Sequence, residues 1–306
     1  MSSEIKIGKS DVTVTNGLGL GTNKVGGHNL FDNLKDENGY AVVKEALNSG
    51  ISLLDTAYAY GMGRSEEIIG DVIQDYDRSK IILATKAAQD PEGPNDLNNS
   101  PKFLQQAVDA ALKRLKTDYI DIFYIHFPDK DTPKAEAVGA LNDLKEAGKI
   151  RAVGVSNFSP AQIKEANADG YVDIAEDNYS LVHREPETTE FPYLKENHIS
   201  FVPYFPLAAG LLTGKYGPDD GAKFKQFSSV QYEAINQALD KVRKIAGEHS
   251  ATVAQTIIAW YLKDPNISVV IPGARTADQV KSNVAALKVE LSSAEYDKID
   301  QAFKGF

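Results

Sequence analysis

Eight apolar runs of strand length recur along the 306 residues, and each is separated from the next by a stretch with helical spacing. Apolar and polar residues do not alternate within these runs, which indicates strands buried on both faces, as in a parallel sheet covered by helices. The predicted strands are Asn16–Gly21, Ile51–Asp55, Ile81–Lys86, Tyr119–His126, Ile150–Val155, Asp173–Asp177, Ser200–Tyr204 and Ser268–Ile271. Eight β-then-α units in a chain of this length favour an α/β (β/α)8 TIM barrel over a doubly wound open sheet.

The segments outside the eight units predict additions to the barrel. Ser100 and Ser159 each precede a proline, the pattern of a capping hydroxyl followed by proline at the first helical position. No linker or repeat divides the chain, so we expect one domain spanning residues 1–306. The predicted additions are an N-terminal β-hairpin and extra C-terminal helices: Ile5–Ile7 with Val12–Val14, Val230–Glu248, and Ser293 to about Phe303.

Composition and charge exclude several classes of protein. The formal charge of −10 argues against a nucleic-acid or anionic-membrane partner. No apolar stretch approaches the roughly 18 residues of a membrane span, and Met1–Lys6 lacks the apolar segment of a secretory signal. Zero cysteines exclude disulfides and thiolate chemistry and fit a reducing compartment. We therefore expect a soluble cytoplasmic protein; its histidines lack ligand spacing, so no metal site is expected.

Three of the predicted strands end in an ionisable side chain. Asp55, Lys86 and His126 each close an apolar run, and Tyr60 follows Asp55 by five residues, in the turn before a helix. The carboxyl ends of barrel strands meet at one face, which predicts that these four side chains converge there.

The four side chains together predict a device for proton transfer. An ammonium at Lys86 about 4 Å from the phenol oxygen of Tyr60 would favour the phenolate by up to ~4 kcal/mol at an effective dielectric constant of ~20. That corresponds to roughly three pKa units before desolvation of the lysine opposes it. Asp55 would keep Lys86 charged, and His126 could hydrogen-bond a carbonyl oxygen. No side chain supplies hydride, so carbonyl reduction by this set implies a nicotinamide cofactor.

Each residue alone also has a structural explanation. Asp55 can cap the following turn, Lys86 can end an apolar run as a solvated amine, and a lone histidine such as His126 is more often structural. Their joint occurrence at these spacings favours the functional interpretation. Tyr58, two residues before Tyr60, is assigned to packing or to the pocket wall.

From these residues outward, the chain resembles the aldo-keto reductase family, and it is most similar to the bacterial subgroup that also contains potassium-channel β-subunit-like members. The resemblance covers essentially the full length. The matching segments are Leu54–Gly61, Ala84–Lys86, Asp118–His126, Gly148–Phe158, Tyr204–Lys215 and Ile271–Arg275. It implies that Tyr60 donates the proton, that Lys86 and Asp55 tune it, and that His126 orients the carbonyl.

The resemblance also implies where a nucleotide cofactor would lie. Ser156 and Asn157 would hydrogen-bond the nicotinamide carboxamide, Tyr204 would stack on the ring, and Lys215 would add positive charge at the pyrophosphate. Arg275 matches the adenosine end and is a fork suited to a 2′-phosphate, so NADPH is preferred over NADH. The full implied set is Thr22, Asn23, Ser156, Asn157, Glu176, Tyr204, Pro206, Leu207, Ala208, Gly210, Lys215, Gly273, Arg275, Gln279 and Asn283.

One of these positions departs from the family pattern. Glu176 stands where the family usually has glutamine beside the nicotinamide amide. An ionised carboxylate can accept a hydrogen bond from the amide nitrogen but cannot donate one to the amide oxygen.

The function expected from the sequence is NADPH-dependent reduction of aldehyde carbonyls, with ketones as a further class. The loops show an apolar-aromatic pocket with no obvious carboxylate or phosphate clamp, so the partner is a small carbonyl substrate of undetermined identity. The alternative is an NADP(H)-binding interaction subunit that senses redox state through slow reductase chemistry. The complete set of four catalytic candidates favours the enzyme, and nothing in the sequence decides the oligomeric state.

Overall fold

The computed structural model describes residues 4–90 and 96–306. These residues form a two-stranded antiparallel hairpin and a seven-stranded parallel sheet surrounded by helices. The strands are β1 (Glu4–Lys6), β2 (Thr13–Thr15), β3 (Gly19–Gly21), β4 (Leu53–Asp55), β5 (Ile82–Ala87), β6 (Ile120–Ile125), β7 (Ile150–Ser156), β8 (Ile174–Asn178) and β9 (Ser200–Tyr204).

Helices connect the successive strands of the parallel sheet. The α-helices are α1 (Asp36–Asn48), α2 (Arg64–Ile73), α3 (Pro101–Leu115), α4 (Lys134–Glu146), α5 (Pro160–Ala166), α6 (Pro186–Thr189), α7 (Phe191–Glu196), α8 (Ser229–Glu248), α9 (Val253–Lys263), α10 (Ala277–Val284) and α11 (Ser293–Ala302). Short 3-10 helices lie at Arg78–Lys80, Ala208–Thr213, Pro218–Lys223 and Ala285–Lys288. Within the described ranges, no helix is both long enough and apolar enough to cross a bilayer.

The parallel sheet follows chain order from β3 to β9, and the segment around Val270 joins its two edges. The backbone N–H of Val270 donates to the oxygen of Gly17, and its oxygen accepts from the N–H of Gly19, both at 2.9 Å. On the other side, the N–H of Ser268 donates to the oxygen of Phe201 at 2.9 Å. The sheet therefore closes into the predicted barrel.

The eighth predicted strand, Ser268–Ile271, occupies its expected place but forms isolated bridges rather than a continuous strand. Pro272 follows directly and has no amide hydrogen with which to extend the ladder. The other seven predicted strands are confirmed, with ends that differ from the prediction by at most three residues.

The predicted additions are also present. The hairpin of β1 and β2 contributes Ile7, Val12 and Val14 to the apolar cluster inside the barrel, so its side chains fill the interior below the strands. Helix α8 packs on α9 and α11 rather than on a strand, which confirms its place outside the barrel repeat. Ser100 and Ser159 cap α3 and α5 as predicted, and each accepts a hydrogen bond from a backbone N–H of the first turn.

The alternation of side chains along each strand determines what faces the barrel interior. Apolar residues of the interior cluster, among them Leu53, Ala84, Ile122 and Ile174, form its lower layers. The residue two positions later on the same strand faces the same way, nearer the carboxyl end. Those four residues are Asp55, Lys86, Tyr124 and Glu176, all buried. The top layer of the barrel is therefore polar and ionisable.

Gly154 makes room for one member of this layer. A Cβ atom at position 154 would lie 2.2 Å from Cδ1 of Tyr124, closer than any real contact. The absence of a side chain on β7 thus allows the Tyr124 ring to lie flat beside it.

We expect Gly154→Ala to lower the free energy of unfolding by about 1–3 kcal/mol, because the added methyl overpacks the interior. Gly139→Ala is the matched control, since residue 139 lies in α4 with nothing within 4 Å of its Cβ position. Alanine in that helix should be neutral or stabilising by up to about 1 kcal/mol. Urea denaturation measures both, and equal stabilities would contradict the packing argument.

Candidate active site

Lys86 is the centre of the polar layer. Its Nζ donates to Oδ1 of Asp55 at 2.5 Å and to the backbone oxygen of Thr56 at 3.1 Å, and lies 3.2 Å from Oε1 of Glu176. Asp55 is 2% exposed, and Lys86 and Glu176 are each 1% exposed. Three strands, β4, β5 and β8, thus deliver one amine and two carboxyl groups to one point inside the barrel.

The charge on Lys86 depends on these neighbours. Burial alone would lower the pKa of the amine, but the attraction of Asp55 and then of Glu176 overcomes that effect. The pKa of Lys86 is therefore raised above its ordinary value, and the amine stays protonated. A buried ammonium with hydrogen-bonded carboxylate partners can persist where an unpaired one would lose its proton.

Tyr60 and His126 lie beside this group, so the structure brings all four predicted catalytic residues together. Nζ of Lys86 lies 5.6 Å from the centroid of the Tyr60 ring, and the Tyr60 and His126 ring centroids are 6.1 Å apart, nearly perpendicular. Tyr58, by contrast, stacks under the guanidinium of Arg114 on the helical side, which fits the packing role assigned to it.

The pKa of Tyr60 differs from the expectation. Burial raises it above its ordinary value, Lys86 lowers it, and the carboxyl groups of Asp55 and Glu176 raise it again. The expected lowering of this pKa by Lys86 is thus outweighed by burial and by the two carboxyl groups. Both opposing causes, the depth of burial and the second carboxyl, depend on the three-dimensional arrangement.

His126 is a neutral imidazole at neutral pH. Burial, and then the positive charge of Lys86, lower its pKa to about 3. Nδ1 of His126 is buried without a hydrogen-bond partner among the described residues. The ring of Phe127 stacks on the imidazole, with centroids 4.6 Å apart. A neutral imidazole can donate an N–H hydrogen bond to a carbonyl oxygen without transferring the proton to it.

The residues assigned to the nicotinamide form one hydrogen-bonded edge. The hydroxyl of Tyr204 donates to Oδ1 of Asn157 at 2.8 Å, and Nδ2 of Asn157 donates to Oγ of Ser156 at 3.1 Å. The backbone N–H of Asn157 donates to Oδ1 of Asp177 at 2.9 Å. Oε2 of Glu176 is buried here without a hydrogen-bond partner among the described residues, which leaves an acceptor for a bound group.

The loop after β9 has an unusual backbone. Phe205, Ala208 and Ala209 all adopt positive φ angles, followed by Gly210 at +97°. Left-handed conformations at non-glycine residues cost of order 1–3 kcal/mol and cluster at functional sites. The backbone oxygen of Pro206 accepts a hydrogen bond from the buried hydroxyl of Tyr261 at 2.8 Å, which fixes the start of this loop. The N–H groups of Ala208 and Gly210 donate to the backbone oxygens of Phe205 and Leu207, so the N–H groups of Leu207 and Ala209 are those that such a turn can present to an anion.

Three cations lie near the same end of the cleft. The pKa of Lys24 is lowered by burial and then by repulsion from Arg275 and Lys215, so the three charges are close enough to interact. Nζ of Lys24 and Cζ of Arg275 lie 5.6 Å and 5.5 Å from the centroid of the Phe31 ring. No carboxylate pairs with any of these cations in the part of the chain that the structure describes. Unpaired adjacent cations are suited to a polyanionic ligand.

The other residues assigned to the nucleotide differ from one another in what they contact. The Thr22 hydroxyl donates to the backbone oxygen of Asp55 at 2.7 Å, so it ties β3 to β4. Asn23 lies beside the backbone at Gly273, where a Cβ would be 3.4 Å from its Oδ1. Oε1 of Gln279 accepts from the N–H of Arg275 at 2.7 Å and shapes that loop. The last residue of the set, Asn283, lies one turn further along α10 and is half-buried.

Sequence reasoning missed Lys24 and Tyr124. Tyr124 precedes His126 by two residues, so strand alternation alone could have placed it in the interior. Its ring centroid lies 5.4 Å from Nζ of Lys86. Lys24 follows β3 in a loop, and no motif distinguishes it from a solvated lysine. No cluster of three potential metal ligands occurs in the described ranges.

The chain is similar to known proteins over most of its length. The model of the Aldo/keto reductase family matches residues 17–304. Aldo-keto reductase YhdN of Bacillus subtilis (strain 168) is 36% identical over 278 residues, which cover 87% of this chain and 83% of that protein. The NADH-specific methylglyoxal reductase of Escherichia coli (strain K12) is 33% identical over 312 residues and covers 95% of each chain.

The resemblance to channel-associated proteins is also confirmed. A probable voltage-gated potassium channel subunit beta of Arabidopsis thaliana is 34% identical over 309 residues, covering 94% of both chains. Among solved structures, the glycerol dehydrogenase from Gluconobacter oxydans superposes with a TM-score of 0.85 at 30% identity, covering 98% of this chain and 94% of that one.

The buried state of His126 predicts a pH dependence of stability. Its pKa falls from 6.5 in the unfolded chain to about 3 in the fold, so protonation favours unfolding. This contribution is complete above pH 6.5 and declines as the pH falls towards 3, by up to about 1.4 kcal/mol per pH unit. In His126→Gln, the free energy of unfolding should decline less steeply between about pH 6 and pH 4. Parallel denaturation profiles of the two proteins would contradict the assignment.

Proposed function

The chain belongs to the aldo/keto reductase family of oxidoreductases, and on that premise we propose that it reduces aldehyde carbonyls, with ketones as a further class, using NADPH. The observation that carries the proposal is the convergence of Tyr60 and His126 on the buried group of Lys86 and Asp55. The zero cysteine count suits the cytoplasm, where we propose that the enzyme acts.

The residues that would hold the nucleotide fit its chemistry. Bound NADPH would supply the hydride that the side chains lack. Oε2 of Glu176 has no hydrogen-bond partner among the described residues, and the nitrogen of the nicotinamide carboxamide could donate a hydrogen bond to it. The left-handed loop after β9 and the cation cluster of Lys24, Lys215 and Arg275 suit the phosphates.

The side chains themselves would then move one proton. His126, neutral and nearly perpendicular to Tyr60, would hold the carbonyl oxygen near the phenol. Tyr60 would donate its O–H proton to that oxygen as the carbon is reduced. Lys86, kept charged by its carboxyl partners, would stabilise the phenolate that remains. Burial of the group excludes water, which strengthens each of these interactions.

Large apolar side chains surround the mouth of the barrel. Leu30, Met62 and Phe205 are 49%, 45% and 52% exposed, and each belongs to a different loop at the carboxyl end of the strands. This supports an apolar or aromatic carbonyl compound as substrate, because the exposed surface would be covered when such a compound binds.

The proposed preference for NADPH over NADH rests on Arg275. It needs a test of its own, because one relative is named as an NADH-specific enzyme. We expect Arg275→Ala to weaken NADPH binding by about 10–100-fold, the range for losing a charge-assisted hydrogen bond, and to leave NADH binding nearly unchanged. Lys281→Ala is the matched control. Lys281, like Arg275, follows the segment Ser268–Ile271, but it is exposed and lies near Glu45 and Asp278.

Fluorescence titration of the three proteins with both nucleotides makes this measurement, with aldehyde turnover as a parallel assay. Equal affinity of the unmodified protein for NADPH and NADH, or equal loss of both in Arg275→Ala, would contradict the assignment. Tight nucleotide binding without turnover on any aldehyde would instead favour a redox-sensing subunit.

A further inference from the structure

Lys86 carries one positive charge but contacts two carboxyl groups. Asp55 and Glu176 lie 2.5 Å and 3.2 Å from its Nζ, and neither pairs with another cation in the described ranges. Both carboxyl groups are at most 2% exposed, so water does not screen them. Two ionised carboxylates this close to a single ammonium would repel each other in a buried site, so one of them holds a proton.

The groups around Asp55 and Glu176 can compensate one negative charge on the pair but not two. The other titratable groups that face the pair are Tyr60 after β4, Tyr124 on β6, His126 directly after β6, and Tyr204 at the end of β9. All are neutral at pH 7, since the pKa values of the three phenols are raised, chiefly by burial, and that of His126 is lowered. One ammonium and one carboxylate make the group neutral, whereas a second carboxylate would leave an uncompensated buried charge.

Glu176 is the member that holds the proton. Burial, and then repulsion by Asp55, raise its pKa well above the ordinary value, while Lys86 acts in the opposite direction. Asp55 has the shorter contact with Lys86 and remains the acceptor. Oε2 of Glu176 has no hydrogen-bond partner among the described residues, so this side chain also has an atom left for a bound carboxamide.

We propose that Glu176 is a proton store for the active site, which keeps a proton while the nucleotide is absent or reduced and gives it up when the nucleotide is oxidised. The proposal rests on the proposed function and deepens it. The glutamine usual at this position in the family cannot do this, because an amide does not ionise at any accessible pH.

The step balances in protons and charge. Hydride supplied by bound NADPH would add to the carbonyl carbon as the nicotinamide C–H bond and the carbonyl π bond break, and the carbonyl oxygen would form its O–H bond with the proton released from the Tyr60 hydroxyl. The Tyr60 oxygen takes a proton from the Lys86 ammonium, and Lys86 takes one from the carboxylic acid of Glu176. The resulting carboxylate would belong to the strand residue that pairs with Ser156, a residue assigned to the nicotinamide, and it would compensate the positive charge of the oxidised ring. When the oxidised nucleotide leaves, Glu176 takes a proton from water.

Two measurements on the intact protein test this without turnover. Infrared spectra of the nucleotide-free protein should contain a protonated-carboxyl band that Glu176→Gln removes. Calorimetric titration in buffers of different ionisation enthalpy should show roughly one proton released per NADP+ bound near pH 7, and almost none for NADPH. The dissociation constant for NADP+ should then fall by about tenfold per pH unit as the pH rises, and Glu176→Gln should abolish both effects.

Glu66→Gln is the matched control. Glu66 is equally buried, but it accepts hydrogen bonds from Arg114 and Thr85, both at 2.6 Å, on the helical side of the barrel. Its substitution should leave the proton release on NADP+ binding unchanged, and thermal unfolding will verify that each variant is folded.

The outcomes separate the two proposals. An unchanged carboxyl band in Glu176→Gln, or NADP+ binding with no proton release in the unmodified protein, overturns the proton store and leaves the proposed function standing. Proton release that persists in Glu176→Gln overturns it as well. Failure of every nicotinamide nucleotide to bind overturns the proposed function, and this proposal with it.

Discussion

A lysine amine with its charge retained inside the barrel is the constraint on which the rest of the site depends. Lys86 is almost wholly buried, and its contacts with Asp55, Glu176 and the backbone oxygen of Thr56 compensate for the loss of water. Removing Asp55, whose carboxylate balances the ammonium, would leave an unmatched buried charge, which typically costs several kcal/mol. The three side chains therefore constrain one another and fix where a proton donor such as Tyr60 can be effective.

The barrel meets this constraint by separating apolar and polar layers along its axis. Below the ionisable layer, the interior is filled by apolar side chains, including three from the N-terminal hairpin. The ionisable groups are thereby confined to the carboxyl end, where the loops after β3 and β4 carry Lys24 and Tyr60, and the end of β9 carries Tyr204, towards the same cleft. The lack of a side chain at Gly154 allows Tyr124 to complete the layer.

Sequence reasoning was most successful where a pattern is repeated. Seven strands follow from long apolar runs, and the convergence of Asp55, Lys86 and His126 follows from the shared direction of parallel strands. It failed where the outcome depends on distances between strands. The direction of the Tyr60 pKa shift depends on burial and on a second carboxyl from β8, and neither can be read from the neighbourhood of residue 60. The left-handed run after β9 includes alanines, which give no local indication of positive φ.

The most direct test of the central claim is the rate of hydride transfer from NADPH to an aldehyde in a single turnover of Tyr60→Phe. We expect a loss of about 10²–10⁴-fold, the usual contribution of a general acid, with NADPH binding retained. Tyr124→Phe is the control, since its ring lies 5.4 Å from Nζ of Lys86, against 5.6 Å for Tyr60, but within the barrel. A Tyr60→Phe rate equal to that of the unmodified protein would contradict the account.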